Sequence, residues 1–393
     1  MKKTLLATAI AGSMAATGAQ AATIYNEDGT QVDLYGNIQL AYSAVNNSNG
    51  NEADQLADNG STVGINAAHM ITRDMTAYMK LEFEVDAADE IKGADRGLND
   101  GDQAFAGVKG DFGDIRIGSW DPLIDDWAQD KITNNEFADV SDSSTDLAGV
   151  AGLIDPESVS SDGELSDRSF DREGDKVGFT SAEMSGFQFG LGFQYKGAAE
   201  SGEVGVNASD FGRYRSEDGA SFFGGAKYTV GDLQLAAIYD DLDNYTLEGM
   251  DGQGDIEADA YALSAVYGLG ATTLAAKYER TDLEYGNINA AGDSGEIDRY
   301  GLSARHAFNF GDVYAGYQYV DADNAAAFND TGYGVDFNAA GQAESAGDET
   351  YNEFLIGANY GISENMYVWA ETGVYDREED ADDFVATGVV YSF

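Results

Sequence analysis

Val32-Asp-Leu-Tyr-Gly-Asn-Ile-Gln-Leu-Ala-Tyr42 alternates with a period of two. Val32, Leu34, Gly36, Ile38 and Leu40 share one parity, and Asp33, Tyr35, Asn37 and Gln39 share the other. Successive side chains of a strand point to opposite faces, so this stretch is a strand with one apolar and one polar side. The pattern returns along the chain. Ala77, Met79, Leu81, Phe83 and Val85 stand against Tyr78, Lys80, Glu82 and Glu84. Phe187, Phe189, Leu191, Phe193 and Tyr195 stand against Gln188, Gly190, Gly192 and Gln194. Val313, Ala315, Tyr317 and Tyr319 stand against Tyr314, Gly316 and Gln318.

Two kinds of connection separate such segments. Short turns fall at 72–74, 110–114, 184–186, 230–232, 268–270, 309–312 and 361–365. Long stretches fall near 44–60, 86–101, 120–167, 196–220, 240–258, 280–295, 321–351 and 376–383. Seven turns and eight loops join 16 strands. An even count with one tight-turn end and one long-loop end describes an all-β, 16-stranded antiparallel transmembrane β-barrel. Closure leaves no unpaired strand edge, which a hydrocarbon surroundings demands. A soluble sandwich would show the same alternation with its apolar face inside. The apolar band of about five positions per strand matches a tilted membrane crossing of ~9–11 residues. The apolar parity then meets lipid and the polar parity lines a water-filled lumen.

Composition agrees. The chain has no cysteine and two prolines in 393 residues, with 49 Gly and 23 Tyr, as expected of continuous sheet with tight turns and an aromatic girdle. No linker divides it. Lys2 and Lys3, the short apolar run Thr4–Ala16 and the small-x-small site Ala19-Gln20-Ala21 form a signal peptide. The expected division is residues 1–21 as signal and 22–393 as barrel. No later stretch approaches ~20 uninterrupted apolar residues, so no membrane-spanning helix is expected. Removing Lys2 and Lys3 leaves 19 bases against 71 acids, a formal charge of −52. That charge excludes nucleic acid as a partner.

The stretch Trp120–Asp167 is the third of the long loops. It holds both prolines, 13 Asp or Glu and one base, Lys131. A segment this long without periodicity is usually functional or disordered. The expectation is that it folds into the lumen and narrows it. A solvated acidic surface loop is the alternative.

With Val32-Asp-Leu-Tyr-Gly36, Ala104-Phe-Ala-Gly-Val-Lys109 and the closing Val389-Val-Tyr-Ser-Phe393, the chain resembles the 16-stranded trimeric general porins of Gram-negative outer membranes. The resemblance implies a homotrimer. It also implies a third loop whose carboxylates face bases on the opposite wall. The family's Pro-Glu-Phe-Gly-Gly-Asp motif is matched by Asn135-Glu-Phe-Ala-Asp139, which makes Glu136 and Asp139 the constriction acids. Asn37, Thr62 and Asp102 fall where enterobacterial members carry Lys or Arg, so they are lumen-facing positions without the base. Arg172 and Lys176 retain bases near the expected place, and alternation also turns Arg116, Lys80 and Glu82 inward. Phe393 and Tyr391 on the last strand form the signal that the outer-membrane assembly machinery pairs with.

The function expected is passive, weakly cation-selective diffusion of small hydrophilic solutes and ions, because acid-rich mouths concentrate cations. A solute-specific barrel, or a structural or adhesive one whose acidity reflects adaptation to salt, is the alternative. Lipopolysaccharide and outer-membrane lipid are the expected surroundings. Acidic runs such as Asp376–Asp383 lack the ordered spacing of a calcium loop. Catalysis is not expected: His69 and His306 stand in no motif with Ser or Asp, and no glycine-rich phosphate loop or other cofactor signature is present.

Overall fold

The computed structural model describes residues 21–46, 52–88, 98–128, 136–138, 174–195, 213–216, 220–241, 245–249, 252–285, 294–323, 349–376 and 383–393. In chain order the first strands are β1 (Ala22–Glu27), β2 (Thr30–Asn46), β3 (Glu52–Asp58), β4 (Thr62–Thr72), β5 (Met75–Val85), β6 (Leu98–Gly110) and β7 (Gly113–Ser119). One short helix, α1 (Leu123–Trp127), follows. Then come β8 (Lys176–Ser181), β9 (Phe187–Tyr195), β10 (Arg213–Ser216), β11 (Ala220–Val230), β12 (Leu233–Asp241) and β13 (Tyr245–Gly249). The rest are β14 (Gly252–Leu269), β15 (Thr272–Tyr285), β16 (Ser294–Phe308), β17 (Gly311–Asp323), β18 (Glu349–Ser363), β19 (Met366–Tyr375) and β20 (Phe384–Ser392).

Sixteen of these form an antiparallel barrel: β2, β4 to β9, β11, β12 and β14 to β20. β20 closes the ring on β2, from Asn37↔Ser392 to Val45↔Phe384. The C-terminal residue fastens the seam, since Gly36 and Phe393 exchange backbone bonds at 3.2 and 3.0 Å. The other four strands are outgrowths that period-two reading did not separate. β1 pairs with the start of β2, beyond the end of β20. β3 continues the line of β4 along the far half of β2. β10 and β13 make a small sheet over the start of β14. Strands β14 and β15 also run well into the stretches expected to be loops.

All seven tight turns lie where the sequence placed them. At the eighth, before β2, Asp28 and Gly29 have φ of 52° and 74°, the left-handed pair that a two-residue hairpin turn requires.

Alternation fixes the two faces. Ile117, Leu263, Leu302, Ile356 and Val385 share the outward parity and are 55–62% exposed, forming an apolar band. Tyrosines mark one edge of the band, with Tyr278, Tyr300 and Tyr319 in sequence at 5.1 and 6.2 Å between rings. Phe308 and Phe310, stacked at 5.8 Å, mark the tight-turn edge. This is the double girdle of a membrane barrel. The inner face carries a different device. Tyr35, Tyr78, Phe223, Tyr314, Trp369 and Phe384 each sit directly opposite a glycine on the next strand: Gly64, Gly107, Gly192, Gly357, Gly388 and Gly373. A Cβ at any of these glycines would come within 3.0 Å of the ring. Each ring therefore lies flat across bare backbone, which covers the sheet without obstructing the lumen.

Candidate functional site

The inner wall carries bases on two sides. On β5, Lys80 meets Glu82 and Gln103, both at 2.9 Å. On β7, Arg116 lies 3.6 Å from Asp114, with its guanidinium over the rings of Phe105 and Trp120. On β8, Lys176 is 2% exposed, donates to the backbone carbonyl of Trp120 and sits 4.8 Å above its ring. Across the barrel, Lys277 pairs with Glu279 at 2.9 Å and Arg299 approaches the same carboxylate at 3.8 Å. Arg305 lies 3.6 Å from Asp312 and 4.6 Å from the ring of Tyr314.

The start of the third loop turns onto this inner wall. Pro122 precedes the helix, where its missing N–H costs nothing. Leu123, Ile124, Trp127 and Ala128 are buried, with α1 against β11 and β12. Glycines make the room: a Cβ at Gly178 would crowd Trp120, and one at Gly190 or Gly225 would crowd Trp127. Lys227 stands 4.8 Å over the Trp127 ring, and Ser264 donates to the Trp127 carbonyl at 3.0 Å. A five-residue helix is marginal on its own. This one is held by its apolar face and by the cation–π contact of Lys227 with Trp127, worth about 0.5–2 kcal/mol.

A second segment of the same loop, Glu136 to Ala138, rests against β17 to β20. Asn359 donates to Glu136 Oε1 at 2.9 Å, Tyr367 donates to Oε2 at 3.2 Å, and Asn59 donates to the backbone carbonyl. The amide of Ala138 donates to Glu371 Oε1 at 2.9 Å, and the Tyr314 hydroxyl donates to Oε2 at 2.6 Å. Phe137 packs on Phe384 at 5.0 Å, over the cluster of Ala41, Leu355, Trp369 and Val390. Asn359, Tyr367, Glu371 and Tyr314 all have the inward parity of their strands. Burial pushes the Glu136 carboxyl up to about 8, and Glu371 beside it adds to the rise. The Tyr367 and Asn359 hydrogen bonds and Arg305 oppose it. At neutral pH this side chain is mostly a protonated acid.

The other expected positions fall as follows. Asn37 and Thr62 share the inner face and bond each other, Asn37 Nδ2 to Thr62 Oγ1 at 3.2 Å. Glu82 is the partner of Lys80. Tyr391 is 49% exposed on the outward face, and Phe393 sits at the seam. Asp139, Arg172 and residues 1–20 lie outside the described residues, as does the side chain of Asp102, whose backbone belongs to β6. Among the described residues His69 and His306 hydrogen-bond neighbouring threonines, Thr30 at 2.7 Å and Thr272 at 2.8 Å. Among the described residues no group of His, Asp and Glu has a metal-holding arrangement.

Several inner-wall groups escaped the sequence reading: Lys227, Lys277, Arg299, Arg305, Asn359 and Glu371. Alternation would have found the bases. Arg305 lies between Ala304 and His306 on a strand whose outward face includes Tyr300 and Leu302. The contact of Asn359 with Glu136 spans 223 positions and leaves no local signal.

A model of the Gram-negative porin family matches residues 6–380. The chain is 44% identical over 405 positions to a protein of a Halomonas species named monosaccharide porin, with 100% of both chains covered. The same identity and coverage relate it to the major outer membrane protein of Halomonas elongata. Among solved structures, the anion-selective porin from Comamonas acidovorans matches with a TM-score of 0.63 at 15% identity, over 93% of this chain and 100% of that one. That last likeness is one of fold.

Proposed function

The chain belongs to the Gram-negative porin family, and on that premise we propose a cation-preferring pore for small hydrophilic solutes, narrowed from within by its third loop. Membership makes it an outer-membrane diffusion pore rather than an enzyme. The observation that carries the finer reading is the seat of Glu136 on Asn359 and Tyr367, two inward side chains of the far wall. The loop leaves the barrel after β7, and its residues 136–138 are bonded to β18 and β19, which supports a path across the lumen. In this reading Glu136 and Asp139 are the acids that the loop brings to the constriction. Lys80, Arg116 and Lys176 line the facing wall with Asn37 and Thr62. Opposed charges across a narrow aqueous gap orient dipolar solutes and bias ion entry.

Cation preference follows from charge. With residues 1–21 removed as a signal peptide, 19 bases face 71 acids. The potential at the mouths gathers cations, over a screening length of ~8–10 Å at 0.1–0.15 M salt. Three copies assemble through their barrels, seated in lipid and lipopolysaccharide, after the assembly machinery has engaged Tyr391 and Phe393.

The absence of cysteine allows a direct test. A single Ala138→Cys variant, treated with a charged thiol reagent, loses a substantial part of its single-channel current if the segment lies in the conducting path. An unchanged current places the loop outside the path. A second reading is favoured by the 44% identical relative named a monosaccharide porin: neutral sugars are the solutes this pore serves. Liposome swelling in glucose, compared with a disaccharide, measures it.

A further inference from the structure

The inner wall has a recess separate from the Glu136 seat. It lies beneath α1, on the tight-turn side, with a volume of about 400 Å³. Leu123, Trp127, Trp120 and Phe223 line its apolar part beside the bare strand backbone of Gly178 and Gly190. Polar groups ring it: Asp126 on α1, Asp114 and Arg116 on β7, Thr180 on β8 and Gln188 on β9.

The geometry points to a monosaccharide subsite in this recess. The inference rests on the sugar reading above and names the place where a sugar pauses. The size suits one ring with water, since ligand pockets start near 300 Å³. The lining has the two faces such a molecule needs. A pyranose shows C–H groups on its faces and hydroxyls at its edge. The apolar part of the recess is aromatic and rigid, because the indoles of Trp120 and Trp127 are pinned by Lys176 and Lys227. The polar part presents acceptors and donors side by side. Asp126 projects from the helix into the space. Arg116, over two rings and 3.6 Å from Asp114, brings its guanidinium to the lining. Gln188 spends its Nε2 on the Ser181 carbonyl at 3.0 Å, which fixes its amide and leaves its oxygen for a hydroxyl. Carboxylate, guanidinium and amide around one aromatic-lined hollow match adjacent hydroxyls. They offer no concentrated charge of one sign, so a phosphate or a metal cation is less well served. The recess reaches from α1 to the turns at 110–113 and 181–188, so a sugar that has passed the loop meets it before leaving.

Glucose, added to the purified full chain in a planar bilayer, tests this by concentration-dependent current noise. The site predicts saturable noise that an Asp126→Asn, Gln188→Ala double variant weakens on the order of tenfold in apparent affinity. Glucose-driven liposome swelling of the same preparation separates the two levels. Swelling without a saturable component, or saturation unchanged in the double variant, overturns the subsite and leaves the sugar reading standing. No swelling at all removes both. Retained KCl current in the double variant shows that it has folded and inserted, and Asp126→Asn alone serves if the double variant does not insert.

Discussion

Asn359 on β18 donates its side-chain amide to Glu136 Oε1 at 2.9 Å, across 223 positions of sequence. One end of this bond is a loop residue and the other is an inward residue of the barrel wall. Together with Tyr367, Glu371 and Phe137 it ties residues 136–138 to β18, β19 and β20. Neutral hydrogen bonds contribute about 0.5–1.5 kcal/mol each. Burying a phenyl ring fully contributes about 1.5–3 kcal/mol. The attachment is thus a joint effect of ring and bonds, weak enough to respond to conditions.

The first prediction concerns pH. Burial raises the Glu136 carboxyl to about 8 from an ordinary value near 4.5. A raised acid favours the docked state most below its ordinary value and loses that contribution as pH rises through about 8. Single-channel conductance and its noise should therefore change between pH 7 and 9, as the ionised side chain loosens the segment. Glu136→Gln, which copies the protonated form, should flatten that dependence. The same titration in the variant would assign the effect to other groups.

The second concerns selectivity. Lys80 and Glu82 are neighbours on the inner face of β5 at 2.9 Å. Lys80→Met removes an inward positive charge and should raise the potassium-to-chloride permeability ratio, by about twofold at 0.1 M salt. Glu82→Gln should lower it by a similar factor. The size follows from one charge acting over several ångströms of water, roughly the thermal energy. Reversal potentials in a KCl gradient measure both, and shifts in the same direction for both variants would contradict it.

The third concerns the aromatic and glycine pairs. Tyr314 lies over Gly357, and a Cβ there would clash with the ring. Gly357→Ala should destabilise the barrel by about 1–3 kcal/mol, the usual cost of overfilling a close-packed site. Adding Tyr314→Ala should return part of the loss due to crowding, since the ring is what the methyl meets. Urea unfolding in detergent reads the difference. Strict additivity of the two changes would mean that ring and glycine do not interact.

The fourth concerns the base of the loop. Lys176 and Lys227 each cap an indole, Trp120 and Trp127, at 4.8 Å. Trp127→Ala should free α1 from β11 and β12 and speed proteolytic cutting within 120–140. Lys227→Met should do so more weakly. Equal cutting in all three proteins would show that the indole contributes nothing to holding the segment.

Much of the barrel was legible because a strand's two faces meet different solvents. The outward parity of Ile115, Ile117, Leu191 and Val385 is a continuous apolar trace, and the tight turns carry Gly and Asp at fixed places. What was hidden shares a cause. β1, β3, β10 and β13 gain stability by adding to an edge already present, so they need little pattern of their own. Helix α1 has only five residues and forms because Trp127 and Leu123 find glycine-lined space, which no local signal announces. The lumen was read in part. Lys80, Glu82, Arg116 and Lys176 follow from alternation, whereas the partners of Glu136 come from β18, β19 and the connection between β3 and β4.

The most direct measurement is the zero-current potential of the purified protein in a planar bilayer separating two KCl concentrations. The account predicts an open channel with a potential of the sign set by potassium, declining as both concentrations are raised together. A potential of the chloride sign, or a membrane that carries no current, would contradict it.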